Sequence, residues 1–207
     1  MKIHFLNVGH GDCTIIEHEN GHISMIDINN GTEIDSKSLD SIAEEIIGER
    51  PLIFEISKAT NSATSYLIEA GYQIELTNPL DFLSQHYPNQ SIWRYVQTHP
   101  HIDHMRGLNV LHQSSHKIFN FWDTSHNFTP DTNDSNKKDW ETYKFLRGNN
   151  SPATVLKLSE GSSGYSYNKD SNENPPGDGI EILHPPVGSN TAAESAKENP
   201  NNLSYVL

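Results

Sequence analysis

Thr98-His99-Pro100-His101-Ile102-Asp103-His104 is the stretch from which the fold can be read. Three histidines and one carboxylate fall within six residues, and the apolar run Ile92-Trp93-Arg94-Tyr95-Val96 leads straight into them. A short run rich in β-branched and aromatic residues reads as a buried strand. A strand that ends in a polar turn containing proline delivers side chains to a sheet edge, where sites are usually built. The pattern His-x-His-x-Asp-His therefore predicts metal ligands gathered on one loop.

Neutral imidazole and carboxylate are ordinary ligands for Zn²⁺, and also for Mn²⁺ or Fe. His99 and His101 lie two apart on an extended loop, so both can point to one side. Asp103 and His104 follow on what reads as the first turn of a helix and can face a neighbouring point. The arrangement suits two divalent ions, zinc first, with manganese or iron as alternatives. Ions about 3.5–4 Å apart can stabilise both oxygens of a displacement.

The rest of the composition narrows the partners. A chain of 207 residues is long enough for one sizeable core, and a single domain is expected. Its formal charge of −13 repels nucleic acid and anionic membranes at long range. A bound metal can invert that sign locally, so a nucleic-acid substrate stays open beside a small molecule. The single cysteine, Cys13, leaves no internal disulfide and no thiolate-rich zinc site, and it reads as a small core residue. No apolar run reaches bilayer length, and Met1 to Leu6 reads as a first strand rather than a signal peptide. A cytoplasmic location with no membrane partner follows as the expectation. His18, His22, His86, His112 and His116 read as surface residues.

Going outward along the chain, residues 2–27 read as a β-meander, with a turn at Glu19-Asn20-Gly21 and a further turn at Asn29-Asn30-Gly31. Gly9 and Gly11 imply a loop that needs positive φ or close backbone approach. Residues 32–91 read as an insertion or an elaborated crossover. Within it, helical spacing marks 38–48, a short strand Leu52 to Ile56, a second helix Asn61 to Ala70, and a capped helix start at Asn78-Pro79. Beyond the histidine cluster come a helix from Asp103 to His112, a strand Lys117 to Trp122, a helix through Trp140, Tyr143 and Phe145, and a strand Val155 to Leu158. Residues 159–179 and 188–202 are polar loops, with a strand Ile180 to Leu183 between them stopped by Pro185-Pro186. The last five residues read as the start of a strand, so the natural chain is expected to continue.

His99-x-His101-x-Asp103-His104 resembles the signature of the metallo-β-lactamase fold, and Asp27 in Met25-Ile26-Asp27 resembles that family's strand-terminal acidic residue. More narrowly, Phe5-Leu6-Asn7-Val8-Gly9-His10-Gly11-Asp12-Cys13 resembles the opening of the soluble hydrolase domain of the competence protein ComEC. An Asp usually stands there in place of Asn7 and a Gln in place of His10. The segment Asn201 to Leu207 resembles a late strand of the same domain. The resemblance covers roughly residues 1–31, 92–126 and 180–207.

It implies an α+β fold, a four-layer αββα sandwich with metals at the sheet edge, here incomplete at the C-terminus. His99 and His101 would hold the first ion, Asp103 and His104 the second. Asp103 would also orient or deprotonate the attacking water, and Asp27 would brace the loop from behind. The family's third ligand histidine falls where Asn201-Asn202 stand. His184 is the nearest substitute, set against a turn role before Pro185. The bridging aspartate and the final histidine would follow Leu207. His10 can face the pocket from the opposite loop or serve the turn, Asp12 reads as a turn cap, and His126 can reach a substrate. The expected function is metal-dependent hydrolysis, first of a phosphodiester such as nucleic acid. The alternatives are hydrolysis of a small ester, lactone or thioester, and a truncated or degenerate domain kept for binding.

Overall fold

Short β-prone runs joined by turns shape the N-terminal segment. Strands β1 (Lys2–Phe5), β2 (Thr14–Glu17) and β3 (Ile23–Ile26) form an antiparallel meander with Lys2 opposite Glu17 and Thr14 opposite Ile26. The β2–β3 turn closes through His18 N–H to the His22 carbonyl, with Gly21 at φ 84°, a conformation that costs glycine nothing. The computed structural model describes residues 1–31, 74–148, 150–164, 178–187 and 204–207, together with positions 39, 41, 65, 67, 68 and 71. The helices expected at 38–48 and 61–70, the strand at 52–56, and most of the loops expected at 159–179 and 188–202 lie outside the described residues.

Beyond β3 the sheet changes character. Strand β4 is Ile28–Asn29, helix α1 is Pro79–His86, and β5 is Ile92–Val96. Asn78 caps α1, its side-chain oxygen accepting from Leu80 N–H at 2.9 Å and Asp81 N–H at 3.4 Å, and Pro79 occupies a position where no backbone donor is needed. After β5 come a 3₁₀ turn (Ile102–His104), β6 (Met105–Arg106), α2 (Leu108–Gln113), β7 (Ile118–Trp122), α3 (Lys137–Leu146) and β8 (Thr154–Leu156). The main sheet has six strands in the order β1-β2-β3-β5-β7-β8, and from β3 onward the pairings are parallel. Strands β4 and β6 form a separate two-stranded parallel ladder. The result is a mixed α/β architecture with a six-stranded sheet and three helices among the described residues.

Successive strand residues point to opposite faces, so each central strand feeds two cores. Tyr95 and Phe121 join Ile15 and Met25 against Leu83 of α1, Leu108 and Leu111 of α2, and Trp140, Tyr143 and Leu146 of α3. Val96 and Trp122 turn the other way and meet Ile180, Ile182 and Tyr205. That second face also carries a buried polar knot. Arg94 pairs with Asp178 and donates to Ser24 Oγ at 2.6 Å, and His18 Nε2 lies 2.7 Å from the same hydroxyl.

Because β3, β5, β7 and β8 run parallel, their C-terminal ends leave one edge of the sheet. The ladder continues one step past each strand: Asp27 N–H donates to the Val96 carbonyl at 2.9 Å, Gln97 N–H to Trp122 at 3.0 Å, and Asp123 N–H to Leu156 at 2.9 Å. Asp27, the loop after Val96 and the loop after Trp122 are thus brought side by side. Such an edge is the usual place for a ligand site in parallel sheets.

Several expectations need correction. The helix expected from Asp103 begins only at Leu108, because Gly107 has φ 102° and Met105 and Arg106 are drawn into pairing with Ile28 and Asn29. A Cβ at Gly107 would stand 2.8 Å from Asn30 Cβ. The turn expected at Asn29-Asn30-Gly31 starts as that same short strand. Ile180 to Leu183 forms no strand, and among the described residues the pairing there is an isolated bridge between His184 and Val206. Pro185 and Pro186 offer no N–H to extend it. His18 and His116 are buried rather than superficial, His116 Nδ1 lying 2.8 Å from the Gln90 carbonyl.

Phe121 is fully buried and stacks on Tyr95 with ring centroids 5.5 Å apart, whereas Phe119, two residues earlier, is 52% exposed. Phe121→Ala is expected to lower the unfolding free energy by about 3–5 kcal/mol, and Phe119→Ala by under about 1 kcal/mol. Urea unfolding of the two variants checks this.

Candidate metal centre

The centre is built around the carboxylate of Asp27. This residue leaves β3 with φ 54°, a left-handed conformation that Asp tolerates better than most residues, and its side chain is 1% exposed. Oδ1 accepts from Thr98 N–H at 2.8 Å and from Gln97 Nε2 at 3.3 Å. Oδ2 accepts from the Thr98 hydroxyl and from His104 Nδ1 at 2.7 Å. Three firm donors, with Gln97 Nε2 at longer range, occupy most of the carboxylate, so Asp27 serves as a brace and has little left for an ion.

Counting protons then fixes the imidazoles. The single Thr98 hydroxyl proton goes to Asp27, so Thr98 Oγ1 must accept from His99 Nδ1, which lies 3.0 Å away. His104 likewise gives its Nδ1 proton to Asp27. In the neutral form of each ring this leaves Nε2 as the unprotonated nitrogen, the arrangement by which carboxylates and hydroxyls orient metal-binding histidines. The two ring centroids are 3.9 Å apart. His101 meets His99 edge-on at 4.8 Å and packs against Phe128 at 5.1 Å. Ligand atoms of Asp27, His99 and His104 all fall within 4.8 Å of one another, and they form the only such group of three among the described residues.

Gln97 closes the loop from below. It is buried, and its Nε2 lies 2.9 Å from the carbonyl oxygens of both His99 and His104. Tyr95 OH donates to Gln97 Oε1 at 3.3 Å. Neither the Gln97 latch nor the Thr98 relay is evident from residue types, since each depends on where the loop returns. A carboxamide at the buried end of an apolar strand is the one signal that points to such a role.

Above the loop lies the glycine-rich segment Val8-Gly9-His10-Gly11. Asn29 Nδ2 donates to the Val8 carbonyl at 3.1 Å and to the His10 carbonyl, pinning the segment to β4. Gly11, at φ 117°, sits so close that a Cβ would stand 2.1 Å from the Asp103 carbonyl oxygen. The close approach expected of these glycines is therefore made to the loop that carries the histidine cluster. His10 Nε2 lies 3.3 Å from Asp103 Oδ2, which in turn is 3.7 Å from His104 Nε2. Asp12 is mostly exposed, with Oδ2 3.7 Å from His104 Nδ1.

The electrostatics favour the neutral form at His99 and His101 but not at His104. Burial, with help from His104 and His101, pushes His99 down to about 3, and burial lowers His101 as well. Both are neutral where a metal would need them neutral. Burial also disfavours charge on His104, but its bond to Asp27 and the nearby Asp103 and Asp12 outweigh that and raise it. An all-imidazole and carboxylate donor set, free of thiolate, fits zinc, manganese or iron.

Of the residues the sequence marks, Asp27, His99 and His104 are brought together in this group, whereas His10, His101, Asp103, His126 and His184 fall outside it. The His126 side chain is 0% exposed, so it does not line an open pocket. It borders the Tyr143 hydroxyl, whose proton goes to Asp123, and its Nδ1 accepts from Phe128 N–H at 3.1 Å. His184 Nδ1 is 2.8 Å from the Ser204 carbonyl, and His184 joins no ligand group among the described residues. Cys13 is buried, and its thiol is pushed far up by burial and by Asp27 and Asp12.

Set against known proteins, the chain matches no family model, no curated protein and no solved structure.

Thr98→Val removes the hydroxyl that sets the His99 tautomer while keeping the backbone N–H to Asp27. Zinc affinity is expected to fall about 10–100-fold in calorimetric titration. A pH effect follows from His126, which burial, with Arg147 and Lys157, pushes down to about 3. An unfolded histidine takes up its proton near 6.5, so between these values the unfolded chain binds more protons and stability falls as pH falls. Urea unfolding of the metal-free chain is expected to show a loss between pH 7 and 5 that exceeds the loss in His126→Asn by about 1 kcal/mol or more.

Proposed function

We propose that this chain is a metal-dependent hydrolase. Within that class it is best read as a metallo-β-lactamase-fold enzyme akin to the soluble hydrolase domain of ComEC, working in the cytoplasm on phosphodiesters. The observation that carries the reading is the proton relay through Asp27 and Thr98, which leaves His99 and His104 each with Nε2 as its ligating nitrogen. The four-layer αββα arrangement belongs to the same proposal. It is supported by helices on one sheet face and by residues 180–182 and 205 packed on the other. Among the described residues no helix is long and apolar enough to cross a membrane.

In this reading His99 and His101 hold a first divalent ion, and Asp103 and His104 hold a second, zinc being the first choice. Bound there, such ions lower the pKa of a water and polarise a phosphoryl or carbonyl oxygen. Asp103, at 28% side-chain exposure, can reach both pocket and solvent, and it orients the attacking water and takes its proton. Asp27, Gln97 and Thr98 hold the loop still while this happens. The charge of −13 favours a second reading, a small ester, lactone or thioester, because a long polyanion is repelled on approach. The engagement of His184 with Ser204 supports a third, a degenerate domain retained for binding.

Metal content of the purified chain, measured by mass spectrometry after zinc loading and desalting, tests the class. His99→Ala and Asp103→Ala are each expected to reduce bound metal by at least half, and unchanged content in both would overturn the proposal. A panel of bis-nitrophenyl phosphate, single-stranded DNA, lactones and thioesters separates the readings, with turnover of the phosphodiesters expected and none anywhere favouring the binding domain.

A further inference from the structure

We infer that the cleft between the end of α3 and strand β8 is a binding site for a phosphate group. The site needs no metal ion and lies outside the histidine cluster. Its volume is about 480 Å³, within the roughly 300–1,000 Å³ of ordinary small-molecule sites. Arg147, Gly148, Ser151, Ala153, Val155 and Lys157 line it.

Charge and hydrogen-bonding capacity select the ligand. The chain holds 27 Asp and Glu against 14 Lys and Arg, yet this lining carries two cations and, among the described residues, no carboxylate. Arg147 commits Nε to Asp123 and Nη2 to the carbonyls of Thr124 and His126. The guanidinium is thereby fixed, while Nη1 has no hydrogen-bond partner among the described residues. Asp123 offsets its charge at 2.9 Å, so the uncompensated charge of the cleft is that of Lys157, which has no ion pair or hydrogen bond among the described residues. Ser151 Oγ accepts from Ala153 N–H at 3.2 Å, which leaves its own proton to donate. Two cationic donors and a hydroxyl, with no carboxylate among them, suit the oxygens of a phosphate.

The C-terminal end of α3 is negative and works against an anion. Local bonds answer much of this. The Tyr143 carbonyl accepts from Arg147 N–H at 3.0 Å, Phe145 from Gly148 N–H at 3.2 Å, and Gly148 from Ser151 N–H at 3.1 Å. What remains is a fraction of a charge, about half a unit at most, set against a full charge on Lys157.

The cleft also stands on the edge that carries the histidines. Lys157 follows directly on Leu156, the last residue of β8, whose carbonyl accepts from Asp123 N–H at 2.9 Å. In the sheet β8 is two steps from β5, about 10 Å at the usual strand spacing. A phosphate held by Lys157 and Arg147 therefore lies within a small molecule's length of the histidine loop. It can be the handle of a small phosphorylated molecule or one phosphate of a nucleic-acid strand.

Inorganic phosphate, adenosine monophosphate and a short oligothymidylate are titrated into the metal-free, isotope-labelled chain of 207 residues at constant ionic strength, with amide chemical shifts as the readout. A chelator keeps ions out, so the outcome is separate from that of the hydrolase reading. Saturable shifts are expected at Gly148, Ser151 and Lys157. Phosphate affinity is expected to fall about fivefold or more in Lys157→Ala. It should stay unchanged in Lys137→Ala, an exposed lysine at the other end of α3. Lys157 is itself exposed, so its truncation leaves the fold intact, and the same spectra verify this. Tighter binding of the mononucleotide marks a small phosphorylated ligand and tighter binding of the oligonucleotide a nucleic-acid strand, and both uphold the site. No saturable shift at these amides, or equal affinity in the unsubstituted chain and Lys157→Ala, would overturn it.

Discussion

One buried carboxylate organises this molecule's working edge. Asp27 ends a strand in a left-handed conformation and collects donors from the next strand's exit, at Gln97 and Thr98, and from the far side of the loop, at His104. Burying an ionised group without partners costs several kcal/mol, so these donors are a condition for the charge to exist there at all. The same bonds fix which nitrogen of each imidazole carries a proton. A single side chain therefore satisfies its own burial, closes the loop and sets the chemical state of two histidines.

The sheet makes this possible by running parallel from β3 onward. Parallel strands bring their C-terminal ends together, and side chains that could not meet in an antiparallel meander become neighbours. Behind the edge a second buried network steadies the next loop. Asp123 accepts from Tyr143 OH and from Arg147 Nε at 2.9 Å, while Tyr205 OH reaches its carbonyl at 2.8 Å. Arg147 also donates to the carbonyls of Thr124 and His126, so the loop that carries Phe128 to His101 is held from below. Acidic groups and their fixed donors thus recur at the ends of β3 and β7, the strands on either side of β5.

Much of this was legible in residue types. Alternation and the Asn20-Gly21 turn mark the meander, Asn78-Pro79 marks the start of α1, and the histidine cluster marks the edge of the sheet. What escaped reading depends on distant partners. His18 looks like a surface residue until Ser24 and the Arg94–Asp178 pair close around it, and Asp178 lies 84 residues from Arg94. Met105, Leu108 and Leu111 share a helical spacing, so the break at Gly107 is hidden until β4 is present to pair with Met105 and Arg106. The relay through Thr98 has no sequence signature, because a threonine beside a histidine is ordinary until a carboxylate arrives from residue 27.

The distance along the chain between Asp27 and Thr98, 71 positions, has a consequence for the order of assembly. The contacts that orient the imidazoles exist only once β3 and β5 have paired, and parallel pairing across so long a separation comes late because its entropy of closure must be met first. An ion that recognises the oriented histidines binds the completed fold and not its precursors. Occupancy would then act as a ratchet on folding, adding about 1.4 kcal/mol for each tenfold excess of free ion over its dissociation constant. Were an ion bound there, its supply and the stability of the folded chain would be two readings of one equilibrium.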